Sequence, residues 1–396
     1  MRIAFCMINC NRRDGSARAV NEVAERLATN HEVHLYARKA EDINLSKVRW
    51  HIVPGLSWPE VADFASYHFL ASRAIARSEF DIVHAIGCNV ARADVITIQN
   101  IQPAKQRILR QVGSQEKVSF IRRLSRSTYL KVTCRAEHEL YTYREDRQPS
   151  LFLPVSRGVE AELRNHYNID PALVRVIPNA ADTSVFHPIS KEQRLAWRKK
   201  NGIPAESILV IFSGGEWRRK GLDIALRGIA ALADSNLYFF VAGDDPDRMR
   251  FAKLSRELNV ENQVIFGGFR RDVATALSAA DIFLLPSWYE AFSLASIEAA
   301  ACGLPIVATH VNGTEDFIQP GITGEFVEHK PEHIASVLST LIRDLSTCQR
   351  MGRAARRLVE DNYTWDRVAS LTEEAYEAYL ESHRCSGTVA GQVAHL

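Results

Sequence analysis

The sequence predicts two doubly wound α/β domains built on parallel sheets, and three observations carry that expectation. Short, β-branched apolar runs alternate with segments of helical spacing along the chain. Those runs are apolar at nearly every position, which is the habit of strands covered by helices on both faces. At 396 residues the chain also exceeds the roughly 250–300 beyond which a single core stops growing.

In the first half the strand-like runs are RIAFCMI (2–8), HEVHLYA (31–37), DIVHAIG (81–87), DVITIQN (94–100), SLFLPVS (150–156) and VRVIPNA (174–180). In the second half they are SILVIFSGG (207–215), LYFFVAGD (237–244), NQVIFGGF (262–269), DIFLLPS (281–287), LPIVATH (304–310) and GEFVEH (324–329). Intervening segments such as ARAVNEVAERLA and LDIALRGIAALA carry apolar residues at helical spacing. The boundary falls after Pro178-Asn179, where a strand-like run ends ahead of a polar stretch from Ser190 to Asn201. The expected domains are 1–180, completed by a C-terminal helix at about 366–382, and 181–365. Residues 383–396 have little periodicity and read as a loose tail.

Composition narrows the classes of function. With 49 Lys and Arg against 47 Asp and Glu, the net charge of +2 excludes a surface that is wholly an electrostatic trap for nucleic acid. No apolar run approaches the ~20 residues that span a bilayer. The start MRIAFCMINCNRR places its basic residues after the apolar ones, unlike a signal peptide. Seven scattered cysteines without a CxxC pair predict neither a disulfide framework nor a zinc site. The missing GxGxxG after the first strand argues against an NAD-dependent enzyme. The expected compartment is the cytoplasm.

The most informative segment is PSWYEAFSLASIEAAACGLPIVAT (286–309). It begins where a strand ends, Ser293 suits an N-cap, Gly303 closes the helix and Pro305 opens the next strand. Glu290 then lies in the strand-to-helix turn and Glu298 about two turns deep. The backbone N–H groups of Phe292, Ser293 and Leu294 form a helix N-terminus able to take a phosphate. Upstream, Gly214-Gly215-Glu216-Trp217-Arg218-Arg219-Lys220-Gly221 suits a diphosphate. Glycines permit close approach, Arg219 offers a two-pronged fork, and Lys220 offers a mobile point charge.

Together these motifs resemble the retaining glycosyltransferases of the GT-B fold, glycosyltransferase family 4. The resemblance rests on E-x7-E (Glu290 to Glu298) followed by Ala300-Ala301-Cys302-Gly303-Leu304-Pro305, and on VIPNAADTSVFHP, FSGGEWRRKGLD, NQVIFGGFRRD, HVNGTEDFI and GITGEFV, all in the family's order. It implies two facing Rossmann-like domains with an interdomain cleft, the first on the acceptor side and the second binding a nucleotide sugar. By the same resemblance Lys220 and an arginine meet the leaving diphosphate, Glu298 the ribose hydroxyls, and Glu290 the donor sugar. Gly268 and Phe269 would line the base. The family's usual arginine is replaced here by Gly215, so Arg219 or Arg218 must take over, and Arg219 is favoured. Asp245-Pro246-Asp247 spells DxD, yet stands where relatives have a turn; it reads as a loop, and no metal and no cofactor are expected.

In the first half, Gly15 and Ser16 open a helix after the first strand and are assigned to the acceptor or sugar side. Gln99 stands where family members often carry a histidine that contacts the donor sugar; it can hydrogen-bond but not carry charge. His84 and Gln99 are both expected at carboxyl ends of strands. Residues 101–135 hold nine basic side chains against one acid, Glu116, interleaved with apolar residues. Such a segment reads as a surface for anionic lipid or an acidic acceptor, and it resembles a basic segment of lipopolysaccharide-core glucosyltransferases.

The expected activity is a retaining transfer of a hexose from a UDP- or GDP-linked donor to a saccharide or lipid-linked glycan, as in cell-envelope polysaccharide synthesis. The alternatives are a GT-B epimerase or phosphorylase, or a non-catalytic sugar-nucleotide-binding module. No nucleic acid partner is expected, and residues 101–135 suggest a peripheral place at the inner face of the cytoplasmic membrane.

Overall fold

A computed structural model describes residues 1–111, 120–142 and 149–393. The chain divides into two units, Met1–Arg107 with Gly113–Pro178 and Trp365–Leu396, and Ile108–Val112 with Asn179–Thr364.

The first unit is built on six parallel strands. These are β1 (Arg2–Cys6), β3 (Glu32–Ala37), β5 (Val48–Ile52), β6 (Ile82–Ile86), β7 (Val95–Ile98) and β8 (Leu151–Pro154), in spatial order β5-β3-β1-β6-β7-β8. Two short strands, β2 (Asn9–Cys10) and β4 (Lys39–Ala40), pair beside it. The second unit repeats the plan with β9 (Ile208–Ser213), β10 (Leu237–Ala242), β11 (Val264–Gly268), β12 (Ile282–Leu285), β13 (Ile306–Thr309) and β14 (Gly324–Val327), ordered β11-β10-β9-β12-β13-β14. Both orders place the first strand of the sheet centrally and reverse direction beside it. That reversal opens a crevice at the carboxyl ends of the two central strands, where doubly wound sheets bind ligands. Strands β9, β12 and β13 are buried along their whole length. Their unbroken apolar character is what a sheet under helices on both faces requires.

Two strand expectations need correction. VRVIPNA (174–180) is not a strand; only Val174 bridges Phe152, and the segment leads out of the unit. The sixth strand is instead β5, VRWHI, at the sheet edge. Its charged and half-exposed residues follow from having a neighbour on one side only, and that masks it from a search for apolar runs. The final helix, Trp365–Val393, continues past the point where a loose tail was expected from 383. Arg26 on the helix Gly15–Leu27 pairs with Asp366 at 2.5 Å, and His31 meets Glu373 at 2.7 Å, so this last helix is tied to the first unit. Among the described residues, no helix is long and apolar enough to cross a membrane.

Candidate functional site in the second unit

The loop after β9 and the loop after β12 meet at the reversal point of the second sheet. Gly221 ends the first loop with φ 73°, and a Cβ there would sit 2.0 Å from the Pro286 carbonyl oxygen. Only glycine allows both the left-handed backbone and that approach. The Trp288 N–H donates to the Arg219 carbonyl at 2.8 Å, a second tie between the loops.

This docking brings Arg219, Lys220 and Glu290 together. One carboxylate oxygen of Glu290, Oε1, accepts from Arg219 Nη1 at 3.0 Å, Lys220 Nζ at 3.2 Å and Ser287 Oγ at 2.9 Å. All three charged side chains are largely removed from solvent. Burial works to raise the Glu290 pKa, but the Arg219 and Lys220 charges, with the Ser287 and Lys220 hydrogen bonds, outweigh it and hold the carboxyl at about 2. The same contest, burial against Glu290 and Glu216, ends with the Arg219 guanidinium held above its ordinary pKa. Arg219 also donates from Nε and Nη2 to Glu216 at 2.8 and 2.6 Å, and from Nη1 to the Tyr289 carbonyl at 2.5 Å.

The two arginines of the loop are thereby distinguished. Arg218 turns the other way, its Nε donating to Asp247 Oδ2 at 2.7 Å. Asp245 accepts the backbone N–H of Trp217 at 2.9 Å through Oδ2 and that of Asp247 at 2.8 Å through Oδ1. The Asp245-Pro246-Asp247 carboxylates therefore bind the loop's own groups. Among the described residues no group of three or more His, Cys, Asp or Glu side chains is arranged to hold a metal ion.

The helix Leu294–Ala301 starts directly beside Glu290. Ser293 caps it, its hydroxyl accepting from Ser296 N at 3.2 Å, and the positive end of the helix faces the crevice. Glu298 is buried just over one turn into this helix rather than the two turns expected: the helix starts where the Ser293 cap puts it, and at 3.6 residues per turn position 298 is reached early in the second turn. Phe292 is buried against Phe317 and Tyr363, which fixes the turn before the cap. Gly313 completes that turn: a Cβ there would lie 2.7 Å from Phe292 Cα. On the far side of β9, Gly215 is exposed, and Phe269 follows β11 with 70% of its surface open.

In the first unit, Gly15 and Ser16 open the helix Gly15–Leu27, and Gln99 directly follows β7. His84 does not stand at a strand end. It lies in the middle of β6 and is buried, with Nδ1 2.5 Å from the Tyr376 hydroxyl and Nε2 2.7 Å from Thr97 Oγ1. Burial lowers its pKa to about 3, so it is a neutral core residue between sheet and last helix. Of the basic segment, 112–119 lie outside the described residues, as do the side chains of Arg122 and Arg123. Arg126, Lys131 and Arg135 are exposed on the helix Phe120–Tyr141.

Sequence reading missed Glu216, Ser287 and the Tyr289 carbonyl as partners of the central cluster. Ser287, three residues before Glu290, had no pattern to mark it, since its role comes from the fold of the turn.

Residues 193–358 match the family model for glycosyl transferases group 1. The D-inositol 3-phosphate glycosyltransferase of Streptomyces avermitilis is 32% identical over 239 residues, covering 56% of this chain and 50% of that protein. That of Arthrobacter sp. is 32% identical over 244 residues, covering 57% and 55%. The chain spans about half the length of these curated relatives. Among solved structures, WaaG, a glycosyltransferase involved in lipopolysaccharide biosynthesis, superposes with a TM-score of 0.77 at 24% identity over 93% of this chain and 99% of that one. Anabaena HepE in complex with UDP gives 0.73 at 17%, over 96% and 100%. At these identities the likeness concerns the fold, which is GT-B, with two Rossmann-like units.

Proposed function

We propose that this chain is a nucleotide-sugar-dependent glycosyltransferase that moves a hexose, with retention at the anomeric carbon, from a UDP- or GDP-linked donor to a saccharide or lipid-linked glycan. The observation that carries the reading is the convergence of Arg219 and Lys220 on one buried carboxylate beside a capped helix N-terminus. Two cations and a helix end at a sheet's reversal point suit a diphosphate. The group 1 match of residues 193–358 supports the transferase class, and the UDP bound in the Anabaena relative supports a uridine donor.

In this reading Arg219, Lys220 and the N–H groups of Phe292, Ser293 and Leu294 take the diphosphate, while Gly215 lets it approach the loop. Glu298 accepts from the ribose, Phe269 lies at the base, and Glu290 orients the sugar. Gly15, Ser16 and Gln99 serve the acceptor or sugar side. The acceptor oxygen bonds to the anomeric carbon on the face the diphosphate leaves, and its proton passes to a diphosphate oxygen. The protein's task is to stabilise the charge that grows on the leaving group. No metal is invoked, because the cations and the helix end supply the neutralising charge.

Residues 101–135 would hold the enzyme at an anionic membrane face on the cytoplasmic side. Each exposed basic residue there would contribute about 1 kcal/mol. Sedimentation with neutral and anionic vesicles at two salt concentrations tests this, with Arg126→Glu and Lys131→Glu expected to release the protein. The transferase reading is tested by incubating the protein with UDP- and GDP-hexoses, with and without a glycan acceptor and a chelator. Acceptor-dependent release of nucleoside diphosphate that survives the chelator is expected. Sugar conversion without acceptor would instead indicate an epimerase, and strict dependence on a divalent ion would overturn the loop reading of Asp245-Pro246-Asp247.

A further inference from the structure

The turn that carries Glu290 is held from a direction outside the sequence motifs. His329 stands two residues beyond β14, and its ring lies parallel to the Trp288 indole, with centroids 3.7 Å and planes 4° apart. Its Nε2 lies 3.0 Å from the Ser287 carbonyl oxygen. A carbonyl only accepts, so this bond puts the proton on Nε2. The same carbonyl accepts from Thr309 Oγ1 at 2.5 Å. Burial lowers the His329 pKa, against the opposing pull of the Ser287 hydrogen bond and the Asp223 charge, which keeps the ring neutral near pH 7.

These contacts form a continuous chain into the cluster. Ser287 is fixed through its carbonyl by His329 and Thr309, and its hydroxyl donates to Glu290. Trp288 is fixed on one ring face by His329, and its backbone N–H donates to the Arg219 carbonyl. Two successive residues thus connect His329 to both the carboxylate and the arginine of the site.

We propose that His329 is a positioning residue: chiefly through its Nε2–H on the Ser287 carbonyl, with lesser support from its ring face on Trp288, it holds the turn so that Glu290, Arg219 and Lys220 keep the arrangement a nucleoside diphosphate meets. The proposal rests on the donor-binding reading above. It separates two functions of one side chain, a hydrogen bond and a stack, that different substitutions remove.

The test uses the full chain and calorimetric titration with UDP and GDP, alongside the melting temperature of each variant. His329→Gln retains a donor without the ring, and His329→Phe retains a ring without the donor. His329→Phe is expected to weaken nucleotide binding roughly tenfold, the worth of one hydrogen bond, and His329→Gln by less than about threefold. Rescue by glutamine at a similar melting temperature would not arise from a merely structural role. Equal losses in both variants, or wild-type affinity in His329→Phe, would overturn the positioning role while leaving the donor reading intact. A wild-type protein that binds neither nucleotide would overturn both. Should His329→Phe not fold, a double-mutant cycle of Trp288→Leu with His329→Gln carries the test, with non-additive losses expected and additive losses refuting it.

Discussion

Replacing Glu290 by glutamine should make free nucleoside diphosphate bind more tightly, although Glu290 lies in the proposed donor site. The structure explains this direction. Glu290 Oε1 is the internal counter-ion for Arg219 and Lys220, so an incoming diphosphate must compete with it. The titration gives that hold net of burial and with the Ser287 hydrogen bond included: a fall from the ordinary 4.5 to about 2, at about 1.4 kcal/mol per unit, is roughly 3 kcal/mol in favour of the charged carboxylate. In Glu290→Gln that attraction is gone and two buried cations are left under-neutralised. The folded state should lose on the order of 3 kcal/mol, as when one partner of a buried pair is removed. A diphosphate restores the missing negative charge. If half of the lost attraction is recovered on binding, affinity rises roughly tenfold.

Calorimetric titration with UDP and GDP at pH 7 measures the affinity, and thermal melts with and without nucleotide measure the linked stabilisation. The mutant should melt lower when free and gain more from ligand. Turnover should fall despite tighter binding, because the amide cannot orient the donor sugar as the carboxylate does. Acid adds an independent check. A carboxyl whose folded pKa is depressed stabilises above its unfolded pKa, and that contribution is lost as pH falls from about 4.5 towards 2. The stability gap between wild type and Glu290→Gln should therefore close over that window. A folded Glu290→Gln that binds nucleotide no better than wild type would refute the counter-ion argument.

Lys220→Ala should lower transfer by about 10²–10³-fold, by analogy with the loss of one preorganised transition-state contact, as measured by nucleoside diphosphate release. Arg218→Ala should stay within a few-fold of wild type in the same assay, because that side chain pairs with Asp247 rather than Glu290. Glu298→Ala should weaken binding of the free nucleotide in calorimetry more than it lowers turnover, since a ribose contact exists in ground and transition states alike. His84 is held neutral by burial, with a folded pKa of about 3 against an ordinary 6.5, so stability should decline as pH falls below 6.5. His84→Phe should flatten that part of the acid-denaturation curve without changing nucleotide affinity.

What could be read from the sequence, and what could not, divides along physical lines. The strands of the second sheet were legible because burial on both faces leaves an unbroken apolar run, as in β9 and β12. Edge strand β5 was not, since half of its surface never needs to be apolar. Segment 174–180 misled for the converse reason, carrying apolar residues that serve a connection. Ser293 was legible because a cap acts within three residues of itself. Arg218 and Arg219 were not separable in that way. Adjacent in sequence, they point to Asp247 and to Glu290, carboxylates 29 and 71 residues away, and only the folded loops decide which arginine meets which. His84 shows the same limit from the other side: expected at the carboxyl end of its strand, it lies mid-strand, where Tyr376, 292 residues later, covers it. Residue type and spacing therefore marked the charged residues of the candidate site, whereas their pairing depends on long-range loop packing. That pairing sets Glu290 against Arg219 and Lys220, so the affinity gain expected in Glu290→Gln tests the fold-derived part of the site more directly than loss of activity at any motif residue.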